Sequence, residues 1–520
     1  MPGASASASV GRVFDALERV RGFHSVAISP DGARVAWSEK VRDAEGRDRL
    51  GRISVAAVGG GASRPVSAAP GGGPARERHP VFSPDGRSIA FLSDAGSPGQ
   101  SQVWLAPAAG GGAPRRLTNV KGQLDDPRWS PDGKSVAFLF VEGSIQEPGA
   151  LVAHARDSGV VEERIEEQRI AVADAATGRV VMASPPDLYV YDYDWAPDGK
   201  SFAAEAAKGS GTNNYWLAQL YLVDRSSGGA RSIWKPPLQI ACPRFSPDGG
   251  SVAVIQGIMS DEGSNGGDIY EIRVASGAAR NLTPGMPASA RELFWRPSGE
   301  IVATAHADGG FAVLSLDPRT LSLSTLWSGA EALRHFAISR SGTASAADVS
   351  SFRKAPEVRA GPIGAWKPVT SSNAGVKPFW GEARSLHWDS GGRRVQGWLL
   401  YPLAFDPARR YPMVVVVHGG PSGAADAEWP SRWTAALPSQ GYFVFLPNPR
   451  GSFGFGEAFA QANVKDFGGG DLADVLSGVD AVLRAAPVDP KRIGITGWSY
   501  GGYMTMWAVT QTNRFAAAVA

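Results

Sequence analysis

One short stretch near the start of the chain has helical periodicity, and the pattern then changes to that of strands. Val10, Val13, Phe14, Leu17 and Val20 fall at i, i+3, i+4, i+7 and i+10, which predicts a helix with one apolar face. From about residue 22, short runs alternate apolar and polar positions, and each run closes on a turn signal. Ser88-Ile89-Ala90-Phe91, following Pro84-Asp85-Gly86, is one such run. After about Lys377 the runs lengthen. Met413-Val414-Val415-Val416-Val417 is a continuous β-branched stretch that predicts a strand buried on both faces, and residues 442–446 predict another. Residues 395–401 read as an exposed edge strand. Residues 471–486 read as a helix with Val475, Val479 and Val482 on one side, residues 492–496 as a strand, and residues 515–520 as the start of a further one.

The alternating region is a repeat. Ser29-Pro30-Asp31-Gly32, preceded by a large apolar residue, recurs from Ser83, Ser130, Ala196 and Ser246, and in degenerate form from Arg296 and Ser339. These seven copies are spaced by about 52 residues on average. In each, Pro presets the first turn angle, Asp can bond its own backbone and Gly supplies the positive φ. A second hairpin lies between copies, as at Ile170–Asp174 with Thr177-Gly178-Arg179. Two hairpins per repeat make a four-stranded sheet, and seven such sheets arranged radially predict an all-β seven-bladed propeller.

Composition fits this reading. Gly (64) and Pro (38) make up about 20% of the 520 residues, against a usual share of roughly 12%. The net charge of +2, without long charged runs, gives no electrostatic reason to expect nucleic acid or an anionic membrane as partner. The single cysteine, Cys242, excludes an intramolecular disulfide and a multi-cysteine metal site, and it reads as a small buried residue. No apolar run reaches the length of a membrane span and the N-terminus lacks the pattern of a secretion signal, so a cytoplasmic protein is expected.

Chemistry enters with the strand at 492–496, which runs into Gly497-Trp498-Ser499-Tyr500-Gly501-Gly502-Tyr503-Met504. Strand, sharp turn and helix are the setting of the G-x-S-x-G elbow, which presents a serine hydroxyl above a sheet. The apolar strand 413–417 ends in His418-Gly419-Gly420-Pro421, whose backbone N–H groups can face that hydroxyl.

Propeller repeats followed by His418-Gly419-Gly420-Pro421, then Asn448-Pro449-Arg450-Gly451-Ser452-Phe453-Gly454-Phe455-Gly456, then the Ser499 elbow, resemble the prolyl oligopeptidase family, nearest its acylaminoacyl-peptidase and dipeptidyl-aminopeptidase branches. The resemblance implies a serine peptidase of short peptides with the active site between a propeller and an α/β-hydrolase domain, and no metal or organic cofactor. It implies Ser499 as catalytic nucleophile and the amides of Gly420 and Tyr500 as the oxyanion hole. The implied domains are residues 1–21, a segment with the amphipathic helix docked on the hydrolase domain; 22–374, the propeller; and 375–520, the hydrolase portion. Homo-oligomerisation is left open. Some members hold the substrate's amino terminus with a Glu pair; Glu166-Glu167 or Glu162-Glu163 could be proposed for this, but a solvated approach to the strand at Ile170 is preferred for them.

One departure stands out. Hydrolases of this fold order their triad Ser, acid, His. The 21 residues after Ser499 contain no Asp, Glu or His. Of the seven histidines, His24, His79, His154, His306 and His335 fall in the propeller, His387 in an early hydrolase strand and His418 in the oxyanion loop. A serine without a base is a poor nucleophile. The sequence is therefore read as a C-terminally truncated member, with a hydrolase domain incomplete at its C-terminus and no activity as given. The alternative is a non-catalytic propeller that binds peptides or partners and carries a vestigial hydrolase portion; an esterase with the same elbow is a third reading.

Overall fold

The computed structural model describes residues 9–42, 50–69, 71, 73–109, 112–144, 166–209 and 212–520. Seven four-stranded antiparallel sheets follow one another between Phe23 and Pro368, each sheet ordered as its strands occur in sequence. The turn chemistry is as the repeat predicts. In the second copy Ser83 Oγ donates to Asp85 Oδ1 at 2.6 Å, that oxygen accepts Arg87 N–H at 3.0 Å, and Gly86 has φ +70°. Several turns also seat their neighbours: a Cβ on Gly86 would lie 3.7 Å from Pro30, and one on Gly133 3.7 Å from Pro84. The ring closes without a shared strand, where Arg340 N–H of the last repeat donates to Pro30 O of the first at 3.1 Å.

The innermost strand of every blade carries a register shift at the same level. The residues set out of register include His24, His79, Asp126, Tyr191, Cys242, Arg291 and His335, one in each blade. Four of these have positive φ: His79 (53°), Asp126 (46°), Cys242 (54°) and His335 (51°). Bulges re-aim side chains, and several of these residues line the cavities described below.

Beyond the propeller lies a six-stranded sheet in the order Ala383–Ser390, Arg393–Leu400, Phe443–Asn448, Tyr411–Val417, Val488–Gly497, Ala517–Val519. The first two pairings are antiparallel and the rest parallel. Met413, Val415 and Val417 pack with Val475, Val479 and Val482 of the helix Gly470–Ala485 on one face. Leu400, Val444 and Leu446 pack with Trp380 and Trp429 on the other. This is an α/β-hydrolase arrangement. It corrects one expectation: residues 395–401 are not an exposed edge. They belong to a buried strand between two others, because the hairpin partner Ala383–Ser390 takes the edge.

The helix Val10–Glu18 lies against the helix Arg432–Ser439, with Phe14 and Trp433 edge to face at 5.0 Å and Leu17 packed on the hydrolase core. The 448–456 loop keys the sheet to the propeller. Phe453 N–H donates to Gly423 O, Gly454 N–H to Ser289 Oγ, and Asp308 N–H to Gly454 O. The Phe453 ring occupies the space a Cβ on Gly266 would need, 2.4 Å away. No helix among the described residues is long and apolar enough to cross a membrane.

Candidate active site

The strand Val488–Gly497 turns at Ser499 into the helix Tyr500–Gln511. Ser499 sits at φ +56°, ψ −120°, a conformation costly for a residue with a Cβ and one that persists only where its surroundings impose it. Those surroundings are two glycines. A Cβ on Gly501 would fall 2.1 Å from Val417 O, and one on Gly497 2.6 Å from the same oxygen. Only bare backbone lets the elbow press against the end of the strand Tyr411–Val417. Ser499 is exposed as a result, and neighbouring Trp498 is 78% exposed.

Gly419 packs against the elbow, where its Cβ would meet Trp498 O at 3.3 Å and Ser499 Cβ at 3.5 Å. The amides of Gly420 and Tyr500 have no hydrogen-bond acceptor among the described residues. Tyr500 is the first residue of its helix, so its N–H has no intrahelical partner. The Tyr500 hydroxyl donates to the buried carboxylate of Asp471.

His418 is fully engaged. Its Nδ1 lies 2.7 Å from Gly419 O, which can only accept, so the proton sits on Nδ1. Burial pushes the imidazole below its ordinary pKa, and its Nε2 lies 2.9 Å from Ser452 Oγ, which itself donates to Pro449 O at 2.6 Å. His418 thus braces the loop. The other described histidines are held elsewhere: His306 Nδ1 lies 3.0 Å from Asp426 and His387 Nε2 2.7 Å from Asp308, while His24 and His335 line a separate cavity. His79, on the propeller wall of the Ser499 cavity, is ion-paired with Asp125 at 2.8 Å. His154 and Glu162-Glu163 lie outside the described residues.

Ser499 opens into a cavity of about 910 Å³ between the hydrolase loops and blades two to five. Aromatic rings of Tyr189, Tyr191 and Tyr215 form part of its wall, with Asp192 and Glu205 beneath and Asp261 and Glu262 at the rim. Burial, then the charges of Asp192 and Glu262, raise the Glu205 carboxyl well above the usual carboxylate range. Asp192 is held below it, against its own burial, by Arg244 and Arg128 at 3.2 and 2.7 Å. Cys242 also faces this cavity. Its thiol is pushed up to about 12 by burial and is therefore unreactive as a thiolate at neutral pH. Glu166 is exposed, but Glu167 departs from the solvated reading: it is half-buried, with one carboxylate oxygen lacking a partner, and burial and Asp187 raise it to about 7. The acidic side chains nearest the serine cavity were not legible as a site in the sequence, because Glu205 and Glu262 come from different hairpins and share no motif. The one local signal was a bulge-forming X-Pro pair in several innermost strands, such as His79-Pro80 and Cys242-Pro243.

A seven-bladed propeller set over an α/β-hydrolase sheet, with an exposed serine on a strand-to-helix elbow between them, defines a class of propeller-capped serine hydrolases. Residues 429–520 match the model of the prolyl oligopeptidase family. Dipeptidyl-peptidase 5 of Porphyromonas gingivalis is 28% identical over 64% of this chain and 50% of its own length. The uncharacterized peptidase YuxL of Bacillus subtilis is 44% identical over 25% of this chain and 20% of its own. Among solved structures, an acylaminoacyl peptidase of Pyrococcus horikoshii superposes with a TM-score of 0.73 at 19% identity, covering 96% of this chain and 77% of that one. A puromycin-hydrolyzing peptidase of Mycobacterium tuberculosis superposes at 0.70 and 19%, covering 97% and 78%. These two structures share the fold. Over residues 429–520 the chain is thus similar to the prolyl oligopeptidase family. It spans about half the length of the dipeptidyl-peptidase 5 it matches.

Proposed function

We propose that this protein hydrolyses short peptides through an acyl-enzyme on Ser499, with the amides of Gly420 and Tyr500 receiving the oxyanion. The observation that carries this reading is the exposed serine, held at positive φ by Gly497 and Gly501, facing a cavity closed on its far side by the propeller. Amides aimed at the developing oxyanion act where charge forms in the transition state. The propeller restricts access to chains slim enough to enter a cavity of about 910 Å³. In this reading residues 1–21, 22–374 and 375–520 are respectively the docking segment, the cap and the nucleophile-bearing hydrolase portion.

Several relatives are named dipeptidyl-peptidases, and the acidic wall of the cavity suits a free amino terminus. A cationic amine brought against Glu205 would ionise it and pair with it, with the tyrosine rings adding cation–π attraction. Among the described residues Ser499 meets no imidazole that is not already engaged or held in another cavity, so turnover is expected only where a base and an acid are supplied beyond these. That same fact favours a second reading, a non-catalytic peptide-binding module.

A fluorophosphonate probe tests the assignment on the 520-residue chain. Slow labelling confined to Ser499 and abolished in Ser499→Ala is expected. Labelling that persists in Ser499→Ala removes the nucleophile. Saturable peptide binding by a protein that never acquires label favours the module.

A further inference from the structure

A second cavity, of about 400 Å³, lies where the first blade meets the seventh, beneath the hydrolase loop that carries Glu428 and Trp429. It is built from polar groups left without partners. Asp348 Oδ1, His335 Nδ1 and Trp429 Nε1 are buried and make no hydrogen bond, although Asp348 and Trp429 are only 8% and 9% exposed. His335 Nδ1 lies 3.9 Å from Asp348 Oδ2, beyond hydrogen-bond reach. Most buried polar groups in folded proteins are paired, and leaving one unpaired is costly. Three in one cavity are unusual.

Charge is distributed around the same space. The Lys40 stem lies over Gly22, where a Cβ would come within 3.1 Å of it, and the Lys40 ammonium has no ion pair among the described residues. Arg334 directs Nε and Nη2 to Glu428 at 3.1 and 2.6 Å, so this guanidinium is largely spent on the hydrolase loop. Besides the Nδ1 of His335, what remains free is a cationic donor at Lys40, a neutral donor at Trp429 and an acceptor at Asp348. A simple anion would leave the Asp348 carboxylate unpaired beside it, and a simple cation would leave Lys40 and Trp429 unpaired. A ligand with both charges satisfies all three.

We propose that this cavity binds a small zwitterion, a free amino acid or dipeptide, with its carboxylate on the Lys40 ammonium and Trp429 indole N–H and its ammonium on the Asp348 carboxylate. The faces of Phe23 and Trp429 give an apolar side chain a surface to lie on. The site is separate from Ser499 and does not depend on its chemistry.

Calorimetric titration of the 520-residue chain with alanyl-phenylalanine and with free phenylalanine tests this. Saturable binding of at least one is expected, weakened about tenfold or more by acetylating the amine or amidating the carboxylate. Lys40→Met and Asp348→Asn should each weaken it to a similar degree. Lys40→Met keeps the test alive should Asp348→Asn fail to fold, since Lys40 is partly exposed. Wild-type affinity in Lys40→Met overturns the proposal even if the peptide binds, because the peptide is then in the Ser499 cavity. Lys40-dependent binding of inorganic phosphate as tight as that of the zwitterion also overturns it, in favour of an anion site. Absence of binding to the unaltered chain overturns it outright.

Discussion

The hydroxyl of Tyr500 donates to the carboxylate of Asp471, joining the residue after Ser499 to the start of the helix Gly470–Ala485. Asp471 is fully buried and also accepts the N–H groups of Gly468 and Leu472, each at 2.8 Å. The elbow is therefore fixed from below as well as by its glycines. Tyr500→Phe removes one donor from a buried carboxylate and should cost about 1–3 kcal/mol in urea unfolding. A change within about 0.3 kcal/mol would show that the bond does not hold the elbow.

Adjacent glycines of the elbow helix should behave oppositely. Gly501→Ala places a methyl 2.1 Å from Val417 O, a backbone atom that cannot step aside, so a loss at or above the usual overpacking range of about 1–3 kcal/mol is expected. The nearest atom to a Cβ on Gly502 is Gly497 O at 3.5 Å, an ordinary contact, and alanine there should be neutral or stabilising by up to about 1 kcal/mol. Melting temperatures of the two variants settle the contrast.

Arg450 bonds Asp474 through Nε at 2.8 Å and Nη2 at 2.7 Å, and its own N–H reaches the same carboxylate at 2.8 Å. Asp474 is fully buried. Arg450→Ala leaves that charge uncompensated and should cost about 3–5 kcal/mol by denaturant unfolding. Arg450→Lys should recover only part of it, since an ammonium cannot reproduce the two-pronged contact. Full recovery would mean that charge alone matters.

Asp348 predicts a pH dependence of stability. Burial pushes its carboxyl up to about 7, with Glu428 and Glu357 adding to the rise and Arg334 and Lys40 opposing it; His335 also faces it. The folded chain holds this proton more tightly than the unfolded chain does. Its stabilisation is complete below about pH 4, the unfolded value, and is lost as pH rises through about 7. Asp348→Asn should remove this part of the slope, worth a few kcal/mol at most, from unfolding free energies measured between pH 4 and 8. An unchanged slope would place the titration elsewhere.

Glu205 gives the sharpest test of the acidic wall. Glu205→Gln should weaken a peptide with a free amino terminus about tenfold and leave its N-acetylated form unaffected, read by calorimetry on the Ser499→Ala chain. Equal weakening of both peptides would mean that the residue shapes the cavity without pairing with an amine.

Much of this protein could be read directly from residue order. The Ser-Pro-Asp-Gly turns announce seven blades because each copy encodes its own hairpin within a few residues. The Gly497-to-Gly501 spacing announces the elbow because the steric demand is local. The misread strand at 395–401 shows the limit: whether a strand lies at an edge depends on the partner it meets, here Ala383–Ser390, and not on its own pattern.

Local order therefore determined the turns, the blade count, the elbow and the identity of Ser499 as the candidate nucleophile. Only the folded chain decided what surrounds them. Glu205 and Glu262, from neighbouring blades, face one cavity, and ring closure with domain docking brings Lys40 to Asp348 and Trp429, hundreds of positions away, in another. Bulges in the innermost strands then turn His79, Asp126, Tyr191 and Cys242 toward one cavity, and His24 and His335 toward the other. Burial and mutual repulsion, which set the protonation of these carboxyls, are properties of that shared space and have no counterpart in the order of residues along the chain.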